Sequence, residues 1–325
     1  MSGKAWLFAP LALTISFAAS GEMLLGADGH EDQGGPYTRI PLSQQANDLH
    51  TMFGNGTVLY RDFGDDLSPS AAGADVPAMQ KNGVQPILVV DTYPPWGSFA
   101  NQQVAYNWGY QNSAAMVNAT PTAQYYEIGN EWSADSSNFP SNGNRMTPGA
   151  WTSGPNFQKA VAVTAGAIAA IRRYNPNAKI IGGANGGWTQ EGFPVALAQG
   201  LRQSYPGLMW DYTVLHWYGN MGDNPGNFDG GQNAYSVLNS ISKPTAVTEF
   251  GSKNPQDVPQ LLQNFKQNGV ALATAYELYE QPEGYGLYSG ARPTAQGQAV
   301  QSWVANNGGS PRGEAARQQR NTRRE

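Results

Sequence analysis

Glu131 and Glu249 each close a short apolar run. One is Tyr125-Tyr126-Glu127-Ile128-Gly129-Asn130-Glu131-Trp132; the other, 118 residues further on, is Thr245-Ala246-Val247-Thr248-Glu249-Phe250-Gly251. A strand that stops on a carboxylate presents an ionisable group at the edge of a sheet. Two carboxyls brought into one cleft divide acid and base roles, because the proton affinity of one is raised by the charge of the other. On that rule the less solvated of the two is expected to be the acid. Other chemistries lack their residues. There is no cysteine, which excludes thiolate nucleophiles, disulfides and cysteine metal sites. No GxSxG occurs and the strand-end histidine, His216, has no serine partner. The histidines are scattered, and His30, Asp32 and His216 are the one conceivable metal set. GxGxxG and GxxxxGK are both absent, so no cofactor is expected.

The elements that must position the two glutamates follow from periodicity. Apolar runs suited to strands occur at Glu22–Ala27, Thr57–Asp62, Gln85–Asp91, Gln124–Gly129, Lys179–Gly183, Tyr212–Trp217, Thr245–Phe250 and Val270–Leu278. Between them lie helical patterns at Leu42–Phe53, Ala74–Lys81, Gln102–Asn118, Asn156–Tyr174, Phe193–Ser204, Ala234–Ser242, Pro255–Gln267 and Thr294–Ala305. Asn82-Gly83, Asn175-Pro176 and Asn268-Gly269 supply stop signals just after three of these helices. Eight strands, each followed by a helix, predict an α/β fold: a single-domain (β/α)8 TIM barrel rather than an open doubly wound sheet. Its expected span is 21–309.

The flanks read differently. Lys4, the apolar run Ala5–Ala19 and the small residues Ala18-Ala19-Ser20-Gly21 read as a secretory signal peptide over 1–20, so the protein is expected to be secreted or periplasmic. The stretch 310–325 is Arg-rich without periodicity and is expected to be disordered. It carries a local charge of +3 within a net charge of −5, which leaves −8 on the rest. An acidic body disfavours nucleic acid, and no later segment is apolar enough for a stable membrane anchor. A monomer is expected.

In a barrel of this kind the working groups sit where the strands end. Those ends carry His30 and Asp32, then Arg61 and Asp62, Asp91 and Trp96, Asn130 and Glu131, Asn185 and Trp188, His216 and Tyr218, Glu249, and Glu277 with Tyr279. The fourth and seventh strands are nearly opposite in a ring of eight, so Glu131 and Glu249 are expected to face each other across the opening. Alternation along the strands puts Gly129 and Glu127 on the side of Glu131, and Thr245 and Val247 on the side of Glu249. It also turns Glu277 inward. Glu127 is expected to be a buried charge paired with Arg61, since an unpaired one would cost several kcal/mol. Trp96, Trp132 and Trp188 fall in strand-end loops, where exposed indoles could stack on a sugar ring.

The endings Ile128-Gly129-Asn130-Glu131, His216-Trp217-Tyr218 and Thr248-Glu249-Phe250-Gly251 resemble the signatures of the clan A retaining glycoside hydrolases, such as families 39 and 5. The resemblance implies a glycosidase that cleaves β-glycosidic bonds in a carbohydrate substrate, with Glu131 as general acid/base and Glu249 as nucleophile. By the same resemblance Asn130 would bind the sugar 2-hydroxyl, and His216 and Tyr218 would orient substrate and nucleophile. Where many members carry a tryptophan on the eighth strand, this chain has Ala275-Tyr276-Glu277-Leu278-Tyr279-Glu280, which makes Glu277 and Tyr279 candidate sugar ligands along with Asp91. The alternative is a carbohydrate-binding barrel without catalysis.

Overall fold

Parallel strands buried on both faces need helices to cover them, and the chain supplies one after each strand. The computed structural model describes residues 22–30, 34–63, 68–187, 189–219, 224–228 and 231–307. The expected signal peptide, Asp32, Trp188 and the Arg-rich tail lie outside the described residues. Eight parallel strands close a barrel in sequence order: β1 (Leu24–Asp28), β2 (Val58–Phe63), β3 (Val84–Val90), β4 (Tyr125–Ile128), β5 (Lys179–Gly182), β6 (Tyr212–Tyr218), β7 (Thr245–Gly251) and β8 (Leu272–Ala275). The covering helices are α1 (Leu42–Phe53), α2 (Pro69–Lys81), α3 (Gln102–Ala119), α4 (Phe157–Tyr174), α5 (Gly192–Ser204), α6 (Ala234–Leu238), α7 (Val258–Gln267) and α8 (Ala295–Asn307). A small antiparallel pair, β9 (Tyr288–Ser289) and β10 (Arg292–Pro293), precedes α8. This is the (β/α)8 barrel expected from the pattern of runs. No helix of the described residues is long and apolar enough to cross a membrane.

Local chemistry sets the helix ends. Ser68 and Asn101 cap α2 and α3 by accepting from Ala71 N–H and Val104 N–H. Gly83 and Gly269 take up φ of 77° and 69° where α2 and α7 stop, a conformation that glycine adopts at little cost. Two further glycines bring α3 and α4 into backbone contact, since a Cβ on Gly109 would lie 2.4 Å from Val163 O and one on Gly166 2.2 Å from Tyr106 O.

The barrel interior is layered. Leu59, Ile87, Ile181, Val214, Ala246 and Leu272 form a dry plug at its floor, each large side chain contributing about 1.5–3 kcal/mol by burial. Two residues further along the same faces the composition turns polar: Arg61, His216, Thr248 and Thr274, with Asp28 and Glu127 from β1 and β4, all wholly buried. The large apolar cluster lies outside the sheet, between strands and helices.

One strand departs from simple alternation. Leu215 pairs with Val247 but His216 pairs with Glu249, so β7 carries an extra residue, Thr248, opposite β6. Ala246, not Val247, joins the barrel plug, while Val247 packs in the outer core. The expectation that Val247 shares a face with Glu249 is therefore corrected: the bulge aims Thr248 and Glu249 at the barrel interior together.

Candidate active site

Arg61 organises the polar layer. All five of its N–H donors are used: Nε and Nη2 on Glu127 at 2.8 and 2.9 Å, Nη1 on Glu249 Oε1 at 2.8 Å and Asp28 Oδ2 at 3.0 Å, and Nη2 again on Asn130 Oδ1 at 2.8 Å. Burial alone would raise the Glu127 carboxyl, but the Arg61 charge and the His216 hydrogen bond hold it down to about 2. Glu127 is the buried partner of Arg61, as its position on β4 predicts.

His216 links the two sides. Its Nδ1 is 2.9 Å from Glu131 Oε1 and 3.5 Å from Glu249 Oε2, and its Nε2 is 3.1 Å from Thr248 Oγ1, which in turn donates to Glu127 Oε1 at 3.1 Å. Burial works against a charged ring, yet Glu249, Glu127 and Glu131 together raise its pKa to about 10. Both ring nitrogens are therefore donors at neutral pH. Tyr218 Oη donates to Glu249 Oε2 at 2.5 Å, and burial together with the Glu249 charge keeps that phenol protonated.

Glu131 reaches this cluster through an unusual turn. Gly129 sits at φ 73° and Glu131 itself at φ 48°, so the chain leaves β4 in two left-handed steps before a short 3-10 turn at Trp132–Ala134. A Cβ on Gly129 would lie 2.5 Å from Trp132 Cε2. Gly129→Ala is expected to destabilise the fold by about 2–4 kcal/mol, from the left-handed penalty plus overpacking against an indole. A denaturant midpoint equal to that of the wild type would contradict it.

A carboxylate oxygen of Glu131, one of Glu249 and a ring nitrogen of His216 all lie within 4.8 Å of one another. Such a trio has the ligand types for a metal ion, and it is the trio of this kind among the described residues. Its members are already satisfied, because Glu249 is ion-paired with Arg61 and His216 Nδ1 is bonded to Glu131. His30, the other histidine of the conceivable metal set, is not part of it.

The two carboxyls differ in the reverse of the expected sense. The Glu131 side chain is 34% exposed and that of Glu249 only 6%. Solvation would make Glu249 the acid, but Arg61 and Tyr218 both bond its oxygens and stabilise the anion. Burial would raise the Glu131 carboxyl, but His216 and Arg61 lower it below the usual range, so the dissociable proton of this pair rests on His216 within the 2.9 Å hydrogen bond.

Several expected ligands turn out to be supports. Asp91, at φ 57°, points its carboxylate at α3, where Asn112 Nδ2 and Ser113 Oγ donate to it at 2.8 and 3.0 Å. Tyr279 Oη donates to Asp48 on α1 at 2.7 Å, and its ring packs on Tyr37 and Tyr288. Trp96 and Trp132 are buried edge-to-face at 5.0 Å, with Phe139 against Trp96 at 4.9 Å and Trp132 Nε1 on Thr92 O, so neither offers an exposed face. Glu277 is engaged elsewhere than at Glu249: its Oε2 accepts from Tyr37 Oη and Gln281 Nε2 at 3.2 and 2.9 Å. Burial raises Glu277 to about 7, and burial with the Arg61 charge lowers His30 to about 4. Between those values both are neutral, so their 3.9 Å approach is no ion pair.

Alternation along β8 places Tyr276, not Glu277, at the mouth. Its ring meets Tyr218 at 5.9 Å, His30 at 5.2 Å and Tyr285 at 6.2 Å, and it keeps part of its surface exposed. Counting from Thr274 would have found it, since Thr274 and Tyr276 share a face. Tyr93, 69% exposed on the loop after β3, is the other aromatic that the motifs passed over.

Solved structures share this fold. The chain is similar to the catalytic domain of a mannanase from Streptomyces sp. SirexAA-E, with a TM-score of 0.57 and 16% identity over 86% of this chain and 84% of that one. It is similar to the catalytic domain of the Thermobifida fusca endoglucanase Cel5A, with a TM-score of 0.52 and 16% identity over 87% and 91%. A beta-glucosidase from Thermotoga maritima, in complex with castanospermine, gives 0.56 and 13% over 88% and 98%. No protein-family model matches the chain, and no curated protein matches it in sequence. At these identities the likeness is one of fold.

Proposed function

We propose that this chain is a retaining glycosidase acting on a β-linked glycan, with Glu249 as nucleophile and Glu131 as general acid/base. The observation that carries this reading is the approach of the two carboxyls, an oxygen of each lying within 4.8 Å of the other across the barrel mouth. Retaining pairs stand about 5–5.5 Å apart and inverting pairs about 6.5–9.5 Å, the wider gap being needed for a water molecule. The solved neighbours support a glycosidase and differ among themselves in the substrates their names state.

The residues divide the work. Arg61 and Tyr218 hold Glu249 ionised and aimed, so that it can attack the anomeric carbon. As the leaving oxygen takes up charge, Glu131 takes the His216 Nδ1 proton across their 2.9 Å hydrogen bond and passes it on, leaving His216 neutral. In the second half-reaction Glu131 accepts a proton from water, which attacks the glycosyl-enzyme. Arg61 holds the side-chain oxygen of Asn130, which leaves the amide N–H groups for a sugar hydroxyl. Tyr276 and Tyr93 offer ring surface for stacking on a pyranose, the role first sought in Trp96 and Trp132. The leader-like segment before residue 21 supports an exported, secreted or periplasmic enzyme.

Hydrolysis of a panel of β-glucans, xylans, mannans and exopolysaccharides, followed by NMR of the anomeric protons, tests the reading. The first-formed product is expected to be the β-anomer. An α-anomer appearing first would overturn retention, and no cleavage of any glycan would overturn the glycosidase.

A further inference from the structure

Three carboxyls meet one guanidinium below the mouth: Glu249 takes part in the chemistry above, Glu127 is the fixed partner of Arg61, and the third has no role yet. The third, Asp28, closes β1 and is wholly buried. Its Oδ2 shares Arg61 Nη1 with Glu249 Oε1, at 3.0 and 2.8 Å. Its Oδ1 has no hydrogen-bond partner among the described residues. The groups facing it come from every neighbouring element: Arg61 on β2, Glu127 on β4, Tyr218 on β6, Glu249 on β7, Thr274 on β8, and Tyr37 and Tyr276 beyond the strand ends. Arg61 is the cation of that set.

Charge decides what such an arrangement can be. If all three carboxyls were ionised, Arg61 would face three anions with almost no water to screen them; the other buried cation, His216, lies against Glu249 and Glu127, and two acceptors on one Nη1 would repel at close range. Glu127 takes two N–H donors, and Glu249 takes one together with the Tyr218 hydroxyl, so both are well held as anions. Asp28 has one N–H donor, which it shares with Glu249, beside a Thr274 hydroxyl that also serves Thr248 O. A carboxyl in that position is the one that gives up its charge.

We propose that Asp28 stands as a neutral acid at neutral pH and is a positioning residue for Glu249: it fixes Arg61 Nη1 through Oδ2 while leaving the guanidinium charge to Glu249 and Glu127. Burial, with the charges of Glu249 and Glu127, pushes its carboxyl well above the ordinary range even against Arg61, in keeping with this. When Asp28 ionises at alkaline pH it competes for Nη1 and adds a negative charge beside Glu249. The hold of Arg61 on Glu249 then weakens, which makes it a poorer leaving group from the glycosyl-enzyme. Asp28 thereby contributes to the alkaline limb of activity. The word nucleophile here rests on the glycosidase reading, but the protonation of Asp28 does not.

Infrared spectra of the wild-type protein at pH 7, with and without Asp-selective 13C labelling, read the protonation directly. A protonated-carboxyl band that shifts with the label and disappears on raising the pH is expected; its absence would overturn the proposal. With a cleaved glycan in hand, Asp28→Asn, which copies a neutral acid, is expected to keep kcat/KM within about twofold at neutral pH and to extend the alkaline limb. Asp28→Leu, which removes the acceptor, is expected to lower kcat by about tenfold or more with KM little changed. A tenfold loss in Asp28→Asn at neutral pH would show that the carboxylate charge is needed and overturn the proposal. If no glycan is cleaved, the glycosidase reading falls while the infrared result still decides the state of Asp28.

Discussion

Glu249→Ala is expected to lower kcat by about four orders of magnitude or more on a β-glycan, the scale of deleting a nucleophile that acts as a unit with its neighbours. The size follows from what converges on that carboxylate: Arg61 Nη1 at 2.8 Å, Tyr218 Oη at 2.5 Å and His216 Nδ1 at 3.5 Å are all arranged for an anion at this one position. Alanine leaves a hole of about carboxymethyl size lined by those donors, which suits a small anion. Added azide is therefore expected to occupy it and attack from the nucleophile's side, giving a glycosyl azide of inverted, α, configuration. Glu131→Ala is expected to behave differently. A substrate with an activated leaving group needs no acid for the first step, and azide would then trap the glycosyl-enzyme from the opposite face with retained, β, configuration. Undiminished hydrolysis in either variant, or a β-azide from Glu249→Ala, would overturn the division of roles. Near-UV circular dichroism of each variant separates lost chemistry from lost structure.

Much of this site could be read from the chain because barrel geometry is periodic. The apolar runs and their Asn-Gly and Asn-Pro stops place eight strands, and strand ends then bring Glu131, His216 and Glu249 to one rim. The Arg61 pairing with Glu127 follows from parity and from the cost of an isolated buried charge. What could not be read depends on breaks in periodicity and on distant packing. Counting by twos presumes an unbroken pleat, and the extra residue Thr248 shifts everything after it on β7. Whether an indole is a platform or a core residue depends on partners such as Phe139 against Trp96, 43 residues away in sequence, which no local pattern announces. Solvation alone assigned the acid by the wrong criterion. The less exposed Glu249 is ion-paired with Arg61 and accepts from Tyr218, so the partner set has to be read beside burial. The same lesson applies to Asp91, whose position beyond β3 looks like that of a ligand until Asn112 and Ser113 on α3 are seen to hold it.

Arg61→Leu is expected to be the most damaging single change to the fold, costing about 3–5 kcal/mol at neutral pH, because it strips the cation from buried carboxylates while filling similar space. It should also remove the gain in stability that Glu127 gives the wild type as pH rises from about 2 to 4.5. In the wild type the folded-state pKa of Glu127 is lowered from 4.5 to about 2, so its contribution is fully present above about pH 4.5 and is lost as pH falls toward 2. Without Arg61, burial, the largest influence on this carboxyl, is opposed only by His216, and Glu249 loses its ion pair as well. The folded-state pKa of Glu127 then rises, so what stability it contributes is present at low pH and is lost as pH climbs through the raised value. Glu277 and Glu191, raised to about 7 and about 8, cost stability in either protein as pH climbs, so the readout is the wild-type midpoint of chemical denaturation minus the Arg61→Leu midpoint, which should widen with pH between about pH 3 and pH 5. Arg61→Lys keeps the charge with fewer donors and should show less of that widening, with a smaller loss of stability. Parallel slopes for wild type and Arg61→Leu would mean that the carboxylates find another counter-charge, and that Arg61 is not the residue on which the polar layer of the barrel depends.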